Sequence, residues 1–179
     1  MALTPNIRNQ FTNLDPATAL TTAYHGPYSD LLTNLFPASS FFQTVLHHND
    51  PSLPLSLQSR STTIFIVTQL SRPVFFTVIK PYYALQDAAE RIAADAEMRE
   101  AFRYLAGDLR LPRLFGLSVM GTRFGIYEYT AAGETIVPSY EASAAVEDRW
   151  PYDVLEPRGE QKLLEAVEAV KDMCEPVVK

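Results

Sequence analysis

The chain has 179 residues, 47% of them hydrophobic and 20% charged, with a formal net charge of −6 and a pI near 5.0. That length fits one domain with a sizeable core, and the acidic balance argues against the clustered basic face of a nucleic-acid binder. Cys174 is the single cysteine, which excludes an intramolecular disulfide and a thiolate metal site built from this chain.

No stretch approaches the roughly 20 apolar residues of a membrane span, and MALTPNIRNQFTNLDP carries no signal-type apolar segment. An intracellular protein, cytoplasmic or nuclear, is the expectation. Residues 1–25 read as an N-terminal arm and 26–179 as one domain. Within the arm, residues 1–15 are polar and without period, and Asp15-Pro16 suits the start of a short helix through Tyr24. Gly26-Pro27 reads as a break. Tyr28, Leu31, Leu32, Leu35 and Phe36 then mark a helix with one buried face, stopped by Pro37. Phe41–Leu46 reads as a strand, and residues 47–61 as a polar, proline-containing loop.

The stretch Thr62–Pro81, TTIFIVTQLSRPVFFTVIKP, is the expected centre of the fold. Two apolar runs, Ile64–Val67 and Val74–Ile79, flank the polar connection Gln69–Arg72, which is the pattern of a buried hairpin. The second run ends on Lys80. A long helix follows over Ala84–Leu105, with Leu85, Ala88, Ile92, Met98, Phe102 and Leu105 as its apolar stripe and Asp87, Glu90, Arg91, Glu97 and Glu100 outside it. Strands are expected at Leu114–Val119 and Phe124–Tyr129, joined by a turn at Gly121–Arg123. Residues 138–158 read as irregular, and Glu160–Met173 as a last amphipathic helix through Leu163, Leu164, Val167 and Val170. The strand–helix–strand passage around the long helix implies a right-handed crossover and a parallel pair. The fold class is α/β, bordering on α+β, with a mixed sheet flanked by helices.

Several segments in this order resemble the PD-(D/E)XK nuclease-like superfamily, in particular a branch found in mushroom-forming fungi. They are GPYSDLLTNLFP at 26–37, TTIFIV at 62–67, PVFFTVIKP at 73–81, the AD-x-x-MR of Ala94–Arg99, LFGLSVMGTRFGIYEY at 114–129 and RWPYDVLEPRGEQKL at 149–163. The resemblance implies a restriction-endonuclease-like αβββαβ core, here with an extra strand and a C-terminal helix. Active members of that superfamily hold Mg²⁺ with an acid on the second core strand and the acid of a (D/E)-x-K motif on the third. The lysine of the motif orients the attacking water. Such chemistry needs oxygen ligands for a hard cation and concentrated positive charge for the phosphate. Lys80 matches the lysine, but Val78 stands where the acid belongs, and Arg60–Val67 contains no Asp or Glu. The motif is degenerate, so no metal and no cofactor are expected, Mg²⁺ entering only if nuclease chemistry survives.

Lys80 is then either a remnant able to bind an anion or a strand-end lysine with its stem packed and its ammonium in water. Arg123 suits a carboxylate on the long helix or an anionic partner. His47-His48-Asn49-Asp50 has metal-binding side chains, yet neighbours on a strand face opposite ways and no ligand spacing accompanies them. His25 reads as a loop residue. Asp30 lies on the first helix, away from its apolar face. Neither Ser61 nor Ser118 has the glycine-flanked elbow of a serine nucleophile. Gly121-Thr-Arg-Phe-Gly lacks the spacing of a phosphate loop, and Trp150 and Tyr152 read as packing aromatics. A non-catalytic binding domain is expected, with an unidentified protein or a second copy as partner. The alternatives are an enzyme with a relocated site drawing on Lys80, Asp30, His47, His48 and Asp50, or a self-associating structural protein.

Overall fold

A computed structural model describes residues 3–48, 50–58, 62–140 and 147–174. Asn49 of the histidine-rich segment, Arg60 at the expected start of the second strand, and Ser61 lie outside the described residues. The described elements run, in chain order, α1 (Pro5–Thr12), α2 (His25–Leu35), β1 (Phe42–His47), β2 (Thr63–Gln69), β3 (Arg72–Lys80), α3 (Ala88–Ala106), β4 (Arg113–Met120), β5 (Arg123–Thr130), β6 (Thr135–Val137), β7 (Tyr152–Asp153) and α4 (Pro157–Cys174), with short 3₁₀ turns between them. The strands form one mixed sheet in the order β1-β2-β3-β4-β5-β6, and β7 also pairs with β5. The β3–β4 pair is parallel and the rest are antiparallel. The protein is of the α/β class.

The continuous apolar runs of β2 and β3 follow from burial on both faces. Successive side chains alternate between layers. Phe65, Val67, Phe75 and Ile79 pack with α1, α2 and α4, including Phe11, Leu31, Leu35, Leu163 and Val167. Ile64, Ile66, Phe76 and Val78 pack against Met98, Phe102 and Leu105 of α3. The hairpin between β2 and β3 turns on Leu70 and Ser71, both at positive φ (51° and 64°). That backbone matches the twist of the two strands. Pro73, which cannot donate to a ladder, sits beside the register shift between Val67 and Thr68, where pairing is already interrupted.

Several expectations are corrected, among them the short helix from Asp15-Pro16 through Tyr24, where only a 3₁₀ turn at Thr21–Tyr24 forms. Residues 5–12 are not a loose arm: Thr4 caps α1 and accepts from the Ile7 amide, and Ile7 and Phe11 are buried. Gly26-Pro27 does not break a helix but lies in the first turn of α2, where proline has no hydrogen bond to lose. The segment expected to be irregular contributes β7 and the first turn of α4. There Gly159 packs so closely on β7 that a Cβ would lie 1.9 Å from the Asp153 carbonyl oxygen. No helix among the described residues is long and apolar enough to cross a membrane.

Candidate functional site

Lys80 closes β3 and pairs across the parallel ladder with Met120. It lies on the same face as Val78, two residues back, so its side chain runs under α3 rather than into water. Its Nζ is 3.1 Å from Glu90 Oε2 and 3.1 Å from Glu97 Oε1, and the lysine side chain is 3% exposed. Glu90 and Glu97 are seven residues apart, two helical turns, which puts both carboxylates on one stripe of α3. Thr62 donates its hydroxyl to Glu97 Oε2 at 3.2 Å. Burial raises the Glu97 carboxyl above its ordinary value, and the charge of Lys80 opposes that rise. The strand-end lysine is therefore neutralised inside the protein. Its ammonium does not reach water as the sequence reading expected of a structural lysine, nor is it open to an anion.

The apolar stripe expected for the long helix is buried at Leu85, which lies in a 3₁₀ turn ahead of α3, and from Met98 onward, but not at Ala88 and Ile92. Ile92 is 48% exposed, while Asp95, Glu97 and Arg99 are buried. Asp95 makes a second polar cluster that the sequence reading missed. Arg99 donates to it through Nε at 2.8 Å and Nη2 at 3.2 Å, Arg149 through Nη1 at 3.1 Å, and the Tyr127 hydroxyl at 2.9 Å. Arg99 and Arg149 also hold the carbonyls of Pro138 and Ser139. Burial and the Asp95 charge push the Tyr127 phenol well up. The Asp95–Arg99 spacing of i, i+4 was the available signal.

The remaining polar candidates go elsewhere. Neighbouring residues split across the sheet, as strand alternation requires. Thr62 faces Glu97, whereas the Thr63 hydroxyl lies 2.7 Å from His25 Nε2 and 3.0 Å from His48 Nδ1. The two imidazole rings meet edge to face at 5.1 Å, and burial, then the neighbouring His48, lowers the His25 pKa. His47 instead contacts Asp50, Nδ1 to Oδ2 at 2.7 Å. Asp50 also accepts from the Ser52 hydroxyl and amide, and these bonds bring its carboxyl down to about 2. Asp30 accepts from Gln10 at 2.7 Å on the surface. Among the described residues, none of Asp30, His47, His48 or Asp50 is hydrogen-bonded or ion-paired to Lys80. Arg123 donates from its Nε and Nη2 to the Trp150 carbonyl at 3.0 and 2.8 Å, and among the described residues it is not ion-paired with a carboxylate of α3. Trp150 is fully buried and donates to Ser118 Oγ at 3.0 Å.

The motif positions do not suit Mg²⁺. Val78 and its cross-strand partner Ile64 present only carbon on the face that carries Lys80. The two nearby carboxylates are already bonded to the ammonium, and among the described residues no group of three or more His, Cys, Asp or Glu is arranged to hold a metal ion. Comparison with family models, with curated proteins and with solved structures gave no match.

Proposed function

We propose that the chain is a nuclease-type scaffold that has lost its metal site and works as a binding domain. The observation that carries this reading is the closed ion cluster at the end of β3. The lysine that would serve a phosphate is held between Glu90 and Glu97, Val78 stands where the motif's acid would be, and Arg60–Val67 carries no Asp or Glu. The succession α2–β1–β2–β3–α3–β4, with β3 and β4 parallel, supports the scaffold half of the proposal because it is the order the resemblance implies. The binding half has support at β1. That edge strand, FQTVLH, contains no Lys, Arg, Asp or Glu to discourage strand addition, and Leu46 within it and Phe41 just before it are exposed.

The test is cleavage of plasmid DNA, single-stranded DNA and RNA with Mg²⁺ or Mn²⁺. The purified protein is expected to show no cleavage above buffer. Metal-dependent cleavage that disappears in Lys80→Ala overturns the proposal. One observation favours a second reading, an enzyme with a repurposed site: a lysine, two carboxylates and a hydroxyl converge at the end of the central strand, and one carboxyl is raised by burial. Hydrolysis of simple esters or phosphomonoesters that Glu97→Gln abolishes would favour that enzyme over the binding domain.

A further inference from the structure

A half-enclosed cavity of about 310 Å³ opens where β3 and β4, the parallel pair, end. Tyr82 follows β3 and Thr122 follows β4, so the cavity lies outside the carboxyl ends of parallel strands, the common position of ligand crevices in open α/β sheets. Its walls are Phe11, Leu14, Tyr24, Tyr82 and Leu155, and its polar groups include Thr122 and Asp153. The turn between β4 and β5 is shaped to bring the two tyrosines together. Gly121 has φ 66°, and a Cβ there would lie 2.7 Å from the Tyr82 Cβ and 3.2 Å from the Tyr24 hydroxyl. Tyr28 anchors the same turn by donating to the Gly121 carbonyl at 2.8 Å.

Asp153 is the charge in this lining. Thr122 donates to its Oδ2 at 2.8 Å and the Leu155 amide to its Oδ1 at 2.9 Å. These bonds fix the carboxylate, yet among the described residues no lysine or arginine is ion-paired with it. An oriented carboxylate without a counter-ion, in a cavity lined by aromatic side chains, matches an organic cation both in charge and in its attraction to aromatic rings.

We propose that this cavity binds a small organic ammonium ion, with the ammonium on Asp153 and the apolar body against Tyr24, Tyr82 and Phe11. The Asp153 charge is also felt by the buried Tyr28, whose phenol is raised chiefly by burial and further by that carboxylate. The site is independent of the cluster at Lys80 and of the nuclease-type reading.

The experiment titrates the whole chain with phenethylammonium, with its neutral isostere 2-phenylethanol, and with Nα-acetyl-lysine methylamide, following amide shifts of Gly121 and Thr122 by NMR. Saturable binding with a Kd of about 1 mM or tighter is expected for at least one ammonium, at least tenfold weaker binding for the alcohol, and weakening with added salt. Preference between the free amine and the lysine derivative assigns the source of the ammonium. Asp153→Asn, which keeps acceptor and shape, is expected to lose at least tenfold in affinity. Tyr82→Leu weakens binding while leaving Asp153 in place, and keeps the test decisive if the first variant melts early. Equal binding of alcohol and amine, unchanged affinity in a folded Asp153→Asn, or no saturation by either ammonium overturns the proposal.

Discussion

Replacing Lys80 by Met keeps most of the apolar stem but removes the ammonium that two carboxylates share. At 3.1 Å and an effective dielectric of about 20, each ion pair is worth about 5 kcal/mol of Coulomb attraction before desolvation is charged against it. Glu90 is 31% exposed in its side chain and is screened by water, whereas Glu97 is 10% exposed. The loss is therefore dominated by Glu97, left buried with only the Thr62 hydroxyl. Removing one partner of a buried pair costs about 3–5 kcal/mol. For a chain of this size, the lower figure is a fall in Tm of about 6–12 °C. The pH dependence carries the sign. Glu97 titrates above its ordinary 4.5 because burial disfavours its charge, so its contribution to stability is full below 4.5 and is lost as pH rises through the folded-state value. Lys80→Met removes the one charge that opposes the rise. Acidification from about pH 8 to about pH 5 should then recover more stability in the variant than in the parent. Thermal melts by circular dichroism at both pH values measure this, and Lys80→Met/Glu97→Met should restore much of the loss by removing the orphaned charge. A variant that melts within about 2 °C of the parent, with the same pH slope, would refute a buried ion pair at this position.

Helix propensity alone predicts that Gly159→Ala stabilises α4, by up to about 1 kcal/mol. The 1.9 Å approach to the Asp153 carbonyl oxygen predicts the opposite, a loss of about 3 kcal/mol in urea unfolding; a gain would show that β7 and α4 do not pack this way. The Asp50 carboxyl should titrate at about 2 by carbon NMR, and Ser52→Ala should move it part of the way toward the ordinary 3.8, since the Ser52 hydroxyl bond is the largest cause of the shift and the Ser52 amide bond remains. An unshifted parent titration counts against the bonded turn. Burial raises the Cys174 thiol to about 11, so iodoacetamide should modify it at near-neutral pH only after unfolding in urea. Rapid labelling of the folded protein would place α4 away from the core.

The central hairpin and the helices at α2, α3 and α4 were legible because their burial is written as period. Two-sided burial makes β2 and β3 continuously apolar, and one-sided burial spaces the helix residues by three and four. The helix α1 was missed because its signal is only Leu3, Ile7 and Phe11 in a polar stretch, spaced by four. The strands β6 and β7 were missed because three and two residues are too few to show alternation. At the site, Lys80 could be singled out from the sequence, but its partners could not. Glu90 and Glu97 were assigned to solvent on the rule that charged positions lie outside the apolar stripe. That rule fails where a buried lysine waits on the facing strand.

By itself the sequence determined the class of fold, the central hairpin and the absence of Asp and Glu from position 78 and from the stretch Arg60–Val67, because these depend on residue type and spacing along one element. Tertiary structure alone decided that the lysine is closed off by Glu90 and Glu97. It also decided that Arg123 donates from Nε and Nη2 to the Trp150 carbonyl, and that Asp153 meets Tyr24 and Tyr82 in a cavity. Each of these joins groups from different elements, which only the fold brings together. Ion pairing falls off with distance in space, and distance along the sequence carries no record of it.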